Sequence, residues 1–480
     1  MLRAIFMAVS FWNAGILSIA SLSGASTVPL NTPSICLDNV HISFALFSLL
    51  TCPIFLYSEI KSCFLFDQSL GLDFGKIVAC ENLHLILSGF VAANSERAFD
   101  LTQHLDPSGT YIGRVWNPAV SGPSTVVLRD GQLFDITVKE APLVQDILEK
   151  DSPVDYVQSI EGASLGRIED IARNQGRGSD AMHMLAPCDL QAIKAAGVTF
   201  VKSMVERVIE ESAAGDPTKA EAVRERVTTL IGDSLHDVVP GSENAVKVKE
   251  ALIGEGLWSP YLEVGIGPDV EIFSKAQPLS SVGWGAEVGL HPKSIWNNPE
   301  PEIVLAIDSQ GNIKGATLGN DVNMRDFEGR SALLLNVAKD NNASCSIGPF
   351  IRLFDKNYAL DDVRNAEINM QVSGEDGFEL TGYSSMKEIS RDPEDIVSQT
   401  IGRHHQYPDG IMVFLGTLFA PIEDRDVPGE GFSHKVGDVV TISSEGLGQL
   451  SNTVRLSTEC PEWTFGISAL MRNLKSRNLL

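Results

Sequence analysis

NNPEPEIVLAIDSQGNIKGATLGND, residues 297–321, turns back on itself if its local signals are obeyed. Ser309-Gln310-Gly311-Asn312 is a turn signal between two apolar runs, and a hairpin closed there puts Asp321 roughly opposite Glu300. Residues two apart on a strand share a face, so Glu300 and Glu302 point the same way. Three carboxylates then converge on one spot. Like charges that close repel unless a cation holds them, and three hard oxygen donors suit Mg²⁺, Mn²⁺ or Ca²⁺ better than zinc. The same spacing also fits a solvated hairpin with ordinary acidic edges, and both readings stand at this point.

The chain has 480 residues, room for two or three domains, and its 44% hydrophobic content suffices for a large core. A net charge of −25 without any Lys/Arg cluster argues against a nucleic-acid partner. A small anionic substrate would have to be attracted locally, by a metal ion and one or two lysines or arginines. Cys36, Cys52, Cys63 and Cys80 crowd the first part. Cys188, Cys345 and Cys460 are scattered with no metal-ligand spacing, so the body reads as reduced and cytoplasmic.

Residues 1–95 form an apolar extension of different character. Met1-Leu2-Arg3 with the following apolar run resembles a signal peptide or short anchor, and Val40 to Tyr57, broken by Pro53, approaches the length of a membrane span. A membrane anchor, a cleaved targeting segment and upstream sequence joined by a wrongly assigned start compete. The last is preferred, because nothing beyond Asn94 looks secreted and the charged flanks of an anchor are missing. Membrane association would run only through this segment.

A small β-rich N-terminal module is expected over 105–180, from alternating runs around Asp130-Gly131. The remainder, 185–470, reads as the catalytic domain. Asp189 is expected to cap a helix running through Glu211, and Pro217 to Leu235 a second, charged helix. Short strands and Gly-containing turns dominate from Ser259 to about Thr464.

Glu300-Pro301-Glu302, Asn320-Asp321, Arg325-Asp326 and Ala338-Lys339, followed by Gly416-Thr417 and the segment Lys435 to Val454, stand in this order. The set resembles the fumarylacetoacetate hydrolase superfamily over roughly residues 185 to 465. The resemblance implies a mixed α/β, β-rich fold with a β-roll core, and a homodimer in the family's manner. It also implies Glu300, Glu302 and Asp321 as ligands of Mg²⁺ (or Mn²⁺/Ca²⁺), and Lys339 as a catalytic or substrate-binding lysine.

One departure bears on the reaction. Hydrolase members carry a Tyr, a His and a Glu near the start of the core, the His–Glu pair activating water. Here the Tyr is Phe200 and the His is Ser203, although Glu206 remains. Gly283 to Glu302, Lys339 to Pro349 and Gly402 to Pro408 look like the branch that dehydrates 2-keto-3-deoxy sugar acids. The expected function is therefore a metal-dependent dehydratase acting on a 2-keto acid such as 2-keto-3-deoxypentonate, through a metal-stabilised enolate and giving 2-oxoglutarate semialdehyde. An acylpyruvate-type C–C hydrolase or a keto-acid decarboxylase is the alternative on the same site. A tethered binding protein without chemistry is the reading from another class.

Lys339 and Glu206 are expected to handle protons, with Lys339 otherwise holding charge beside the substrate oxygens. Ser203, Arg325 and Thr417 are expected to bind substrate. Glu263 and Glu271 read as structural acids first. Of His404 and His405, at most one can face the site, since neighbours on a strand point opposite ways.

Overall fold

The computed structural model describes residues 101–174, 180–231, 238–254, 256, 258–419 and 421–480. The apolar runs expected of residues 1–95 lie outside these. Among the described residues no helix is long and apolar enough to cross a membrane.

The hairpin forms as expected. Strand β10 (Pro301–Ile307) pairs antiparallel with β11 (Ile313–Asp321), Pro301 opposite Asn320 and Val304 opposite Thr317. Asp308 closes the turn by accepting the backbone N–H groups of Gln310 (2.9 Å) and Asn312 (2.8 Å), an Asx turn that leaves Gly311 at positive φ. PEIVLAI is buried throughout because both its faces are covered. Ile303, Leu305 and Ile307 enter one apolar cluster, and Val304 and Ala306 enter another.

This hairpin lies inside a large sheet. In spatial order the sheet runs β4 (Ala163–Arg167), β3 (Gln132–Asp135), β2 (Gly122–Arg129), β1 (Tyr111–Asn117), β13 (Cys345–Leu353), β11, β10, β16 (Ile411–Phe414), β6 (Ala192–Gly197) and β7 (Glu271–Ala276). Strands β1 to β4 fall where the N-terminal module was expected, and β1 is hydrogen-bonded antiparallel to β13. A second sheet runs β15 (Glu379–Ser385), β14 (Glu367–Ser373), β17 (Val439–Ser444), β18 (Gly448–Leu456) and β8 (Glu287–Leu290). In β14 and β15 alternate residues are exposed, and their inward set, Ile368, Met370, Val372 and Leu380, packs in one cluster with Ile303, Leu305 and Leu318. The architecture is mixed α/β and rich in sheet, as expected.

One element departs from the expectation. The helix sought from Asp189 to Glu211 is a strand, β6, followed by a helix at Val201–Ser212. β6 runs parallel to β16 and antiparallel to β7, and pairing on both edges overrides the helical spacing of its apolar residues. Asp189 does cap a helix, but a different one. Its carboxylate accepts the N–H groups of Val144 (2.7 Å) and Gln145 (3.2 Å) at the start of Val144–Leu148. The second expected helix forms at Pro217–Ile231. Cys188, Cys345 and Cys460 are buried and unbridged.

Candidate metal centre

Asp321 donates its N–H to Glu300 O at 3.0 Å, so the two residues face each other across the hairpin. Glu300, Glu302 and Asp321 are buried, and one carboxylate oxygen from each lies within 4.8 Å of the others. Burial rules out the solvated-edge reading of the hairpin.

Cations surround the three acids. Lys339 ends the short helix Leu335–Lys339, and its Nζ bridges Glu300 Oε2 (2.7 Å) and Asp321 Oδ2 (2.9 Å). Arg207, on the helix after β6, donates to Glu300 and also pairs with Glu210 (2.5 Å) and Glu328 (3.1 Å). Lys275 is completely buried. Its Nζ lies 2.7 Å from Asp321 Oδ1 and donates to the carbonyls of Val322 (3.1 Å) and Lys339 (2.6 Å). It is the extra residue of a β-bulge, where Ile193 pairs with Ala276 and Lys194 with Ser274. Bulges re-aim side chains, which accounts for a lysine turned into the interior from an edge strand.

A second layer holds the first. Arg325, one of the largest fully buried side chains, donates to Glu210 (2.6 Å), Glu206 (3.2 Å) and Pro421 O (2.8 Å), and its guanidinium sits 4.5 Å over the Trp296 ring. Glu206 is also gripped by Arg224 at 3.0 and 2.9 Å. These contacts bear on two of the expected roles. Both oxygens of Glu206 are held by arginines, and buried Arg325 is tied at Nε, Nη1 and Nη2 by Glu210, Pro421 O and Glu206.

The charge balance bears on the metal. Among the described residues, Lys275, Lys339, Arg207, Arg224 and Arg325 meet eight carboxylates, those of Glu206, Glu210, Glu221, Glu271, Glu300, Glu302, Asp321 and Glu328. Carboxyl groups outnumber cations here, and a divalent cation would offset the charge they develop on ionising. The strain falls on Glu302. Burial, then Asp321 and Glu300, raise its carboxyl well above the usual range, while the Gly416 N–H (2.6 Å) is its polar anchor. Glu300 is different: burial works against its ionisation, but Lys339 and Arg207 hold it at about 2. Burial likewise opposes the Lys339 ammonium, yet Asp321 and Glu300 raise it well above its ordinary value. Three buried hard oxygen donors with excess negative charge fit a divalent ion of the Mg²⁺ class.

Gly416 is required where it stands. Its φ is +90°, and a Cβ there would meet Thr199 Oγ1 at 2.0 Å. Gly416→Ala is expected to cost about 3 kcal/mol in chemical denaturation and to weaken cation binding by displacing the donor to Glu302. A variant with parent stability would show that the loop yields freely.

The other expected residues are scattered around this centre. Thr417 is buried next to Gly416, its Oγ1 accepting Phe419 N–H at 3.0 Å. Ser203 is buried on the first turn of its helix. His404 and His405 are exposed at a turn, and Glu263 is paired with Lys249. Glu271 is more interesting. It is half-buried on the same side of β7 as Phe273, whose ring lies 5.5 Å from Lys339 Nζ. Burial, then Glu328, push its carboxyl up to about 7. A Cβ on Gly197 would meet its Oε2 at 2.0 Å, so the carboxylate lies across bare backbone.

Residues 301–455 match the family described as fumarylacetoacetate (FAA) hydrolase C-terminal. About a third of the chain is thus similar to that family. Two curated relatives share 32% identity with it. One is a "Probable 2-keto-3-deoxyxylonate dehydratase" of Haloferax volcanii, matched over 194 residues, 40% of this chain and 63% of that protein. The other is a "2-dehydro-3-deoxy-D-arabinonate dehydratase" of Saccharolobus solfataricus, matched over 185 residues, 38% and 58%. The chain thus spans less than two thirds of either relative. Among solved structures, 2-keto-3-deoxy-D-arabinonate dehydratase is similar at 20% identity and a TM-score of 0.50, covering 72% of this chain and 99% of that one. The same enzyme has been solved complexed with magnesium and 2,5-dioxopentanoate. At that identity the likeness shows the fold alone.

Proposed function

We propose that the chain is a divalent-metal-dependent dehydratase of 2-keto-3-deoxy sugar acids. The observation that carries the reading is the buried Glu300–Glu302–Asp321 group with Lys339 bridging two of its members. The names of the two curated relatives support the reaction class. The product in the related crystal structure, 2,5-dioxopentanoate, is what loss of water from a 2-keto-3-deoxypentonate yields.

Glu300, Glu302 and Asp321 would hold the cation, Mg²⁺ being the expected one. When bound it supplies Lewis-acid stabilisation of negative charge developing on the 2-keto oxygen. Lys339 presents a fixed ammonium to the same oxygens. Glu271 takes over the proton-handling role first sought in Glu206. As carboxylate it accepts the C3 proton. It then returns that proton to the C4 hydroxyl, which leaves as water, and tautomerisation places an aldehyde at C5. An acid of pKa about 7 suits both transfers at neutral pH. Ser203 in place of an imidazole, and a Glu206 closed off by arginines, leave the hydrolytic alternative without a water activator.

The function is tested by supplying purified protein and Mg²⁺ with 2-keto-3-deoxypentonates, acylpyruvates and oxaloacetate. Release of 2,5-dioxopentanoate is expected, and turnover of an acylpyruvate or oxaloacetate alone would replace the reading by its rivals. Glu271→Gln is expected to lower kcat about 10²- to 10³-fold. Raising pH through about 7 ionises Glu271. Parent activity should therefore rise along an acid limb at or below that pH, since a bound cation favours the carboxylate. The Gln variant should lack that limb, and an unchanged limb would remove Glu271 from the mechanism.

A further inference from the structure

The carboxylate hairpin continues beyond its last long rung. Strand β9 (Asn297–Asn298) pairs with β12 (Asn323–Met324), Asn298 opposite Asn323. Pro301 opposite Asn320 and Glu300 facing Asp321 belong to the same register, so the antiparallel register of the hairpin continues past the break at Pro299–Glu300 into β9 and β12. Side chains alternate along it. Glu302, Glu300 and Asn298 share a face on one strand, and Asp321 and Asn323 share it on the other. The opposite face confirms the alternation. Val322 and Met324 enter the apolar core there, and Asn297 is held by Ser433 (3.2 Å) and by His434 N–H (3.1 Å).

An amide pair therefore stands next to the carboxylates, one rung or roughly 7 Å along the ladder. Asn298 is 2% exposed and Asn323 0%. Asn298 spends its Nδ2 on Pro299 O (2.9 Å), but its Oδ1 has no protein partner, nor have either Oδ1 or Nδ2 of Asn323. Buried amides left unpaired carry their full desolvation penalty, and two leucine-like side chains would avoid it. Their unpaired atoms point to a polar group brought in from the carboxylate side. Donors and acceptors stand together in the pair, which suits a hydroxyl, itself both, better than a second carboxylate or an ammonium.

We infer that Asn298 and Asn323 form a subsite for a chain hydroxyl of the substrate, adjacent to the centre that holds its keto-acid end. The inference rests on the keto-acid reading and extends it. A 2-keto-3-deoxy aldonic acid anchored through C1 and C2 has nothing polar at C3, so its next polar groups are hydroxyls. The C4 hydroxyl must leave, which assigns the C5 hydroxyl to the amides.

The test is binding to the Mn²⁺-loaded full chain, measured by calorimetry with two ligands that cannot be dehydrated. 5-Hydroxy-2-oxopentanoate carries the C5 hydroxyl without a C4 leaving group, and 2-oxopentanoate lacks both. The parent should bind the hydroxylated acid at least about tenfold more tightly. Asn323→Leu should erase that preference while leaving affinity for 2-oxopentanoate and Mn²⁺ within about twofold. Asn298→Leu should erase it independently, which keeps the test open if the first variant does not fold. A preference that survives either folded variant, or none in the parent, overturns the subsite but not the keto-acid reading. Failure of the parent to bind either acid overturns both.

Discussion

Glu302→Gln should yield a protein that gains no heat stability from Mg²⁺ or Mn²⁺ and loses about 10³-fold or more in turnover. Glu302 is electrostatically disfavoured where Glu300 is held ionised. Burial, then Asp321 and Glu300, disfavour its charge, and Lys339 and the Gly416 N–H offset this only in part. A cation reverses that cost, so the parent should be stabilised by about 2.7 kcal/mol at a hundredfold excess over Kd, a shift of several degrees in Tm. Glutamine keeps the shape and still accepts from Gly416 through its amide oxygen. It removes one hard anionic donor, and the metal-free variant should melt at or above the parent because a buried like-charge contact is gone. A Mn²⁺-induced shift equal to the parent's would show that Glu302 is not a ligand, and the site would have to be redrawn around Glu300 and Asp321.

How far the sequence reveals the site depends on how local each contact is. The hairpin was legible because its turn, its two apolar runs and the two-residue spacing of Glu300 and Glu302 all lie within 25 residues, and the short-range chemistry of Asp308 closes the turn without outside help. Lys339 was legible only through the ordered motifs around it. Lys275 was not, because its position comes from a bulge against β6, nearly eighty residues earlier, which no local pattern announces. Its one signal was a charge in an otherwise strand-like run. Glu206 and Arg325 were legible as polar residues near the site but not as partners. Their mutual contact, and the arginine from Pro217–Ile231 that completes it, depend on how three distant segments pack. β6 was misread for a related reason: Ala192 to Gly197 has residues content in a helix, and only pairing with β16 and β7 makes it a strand.

Lys339→Met separates the lysine's structural contribution from its chemical one. In the metal-free protein its ammonium is the shared partner of Glu300 and Asp321, and methionine fills the same space without charge. Arg207 remains on Glu300 and Lys275 on Asp321, so neither acid is abandoned, but the excess negative charge rises by one. Breaking a buried pair in this way typically costs about 3 to 5 kcal/mol, and the metal-free variant should melt well below the parent. Adding Mn²⁺ should recover much of the deficit, because the cation supplies the missing positive charge and no longer competes with an ammonium for the same oxygens. Mn²⁺ affinity should therefore rise, while turnover falls about 10²- to 10⁴-fold for want of a fixed charge beside the substrate oxygens. Tighter metal binding with lost activity is a pairing that simple misfolding does not produce. If Lys339→Met instead binds Mn²⁺ more weakly than the parent, the lysine is organising the carboxylates and not competing for them. Turnover close to the parent's would take it out of the reaction altogether.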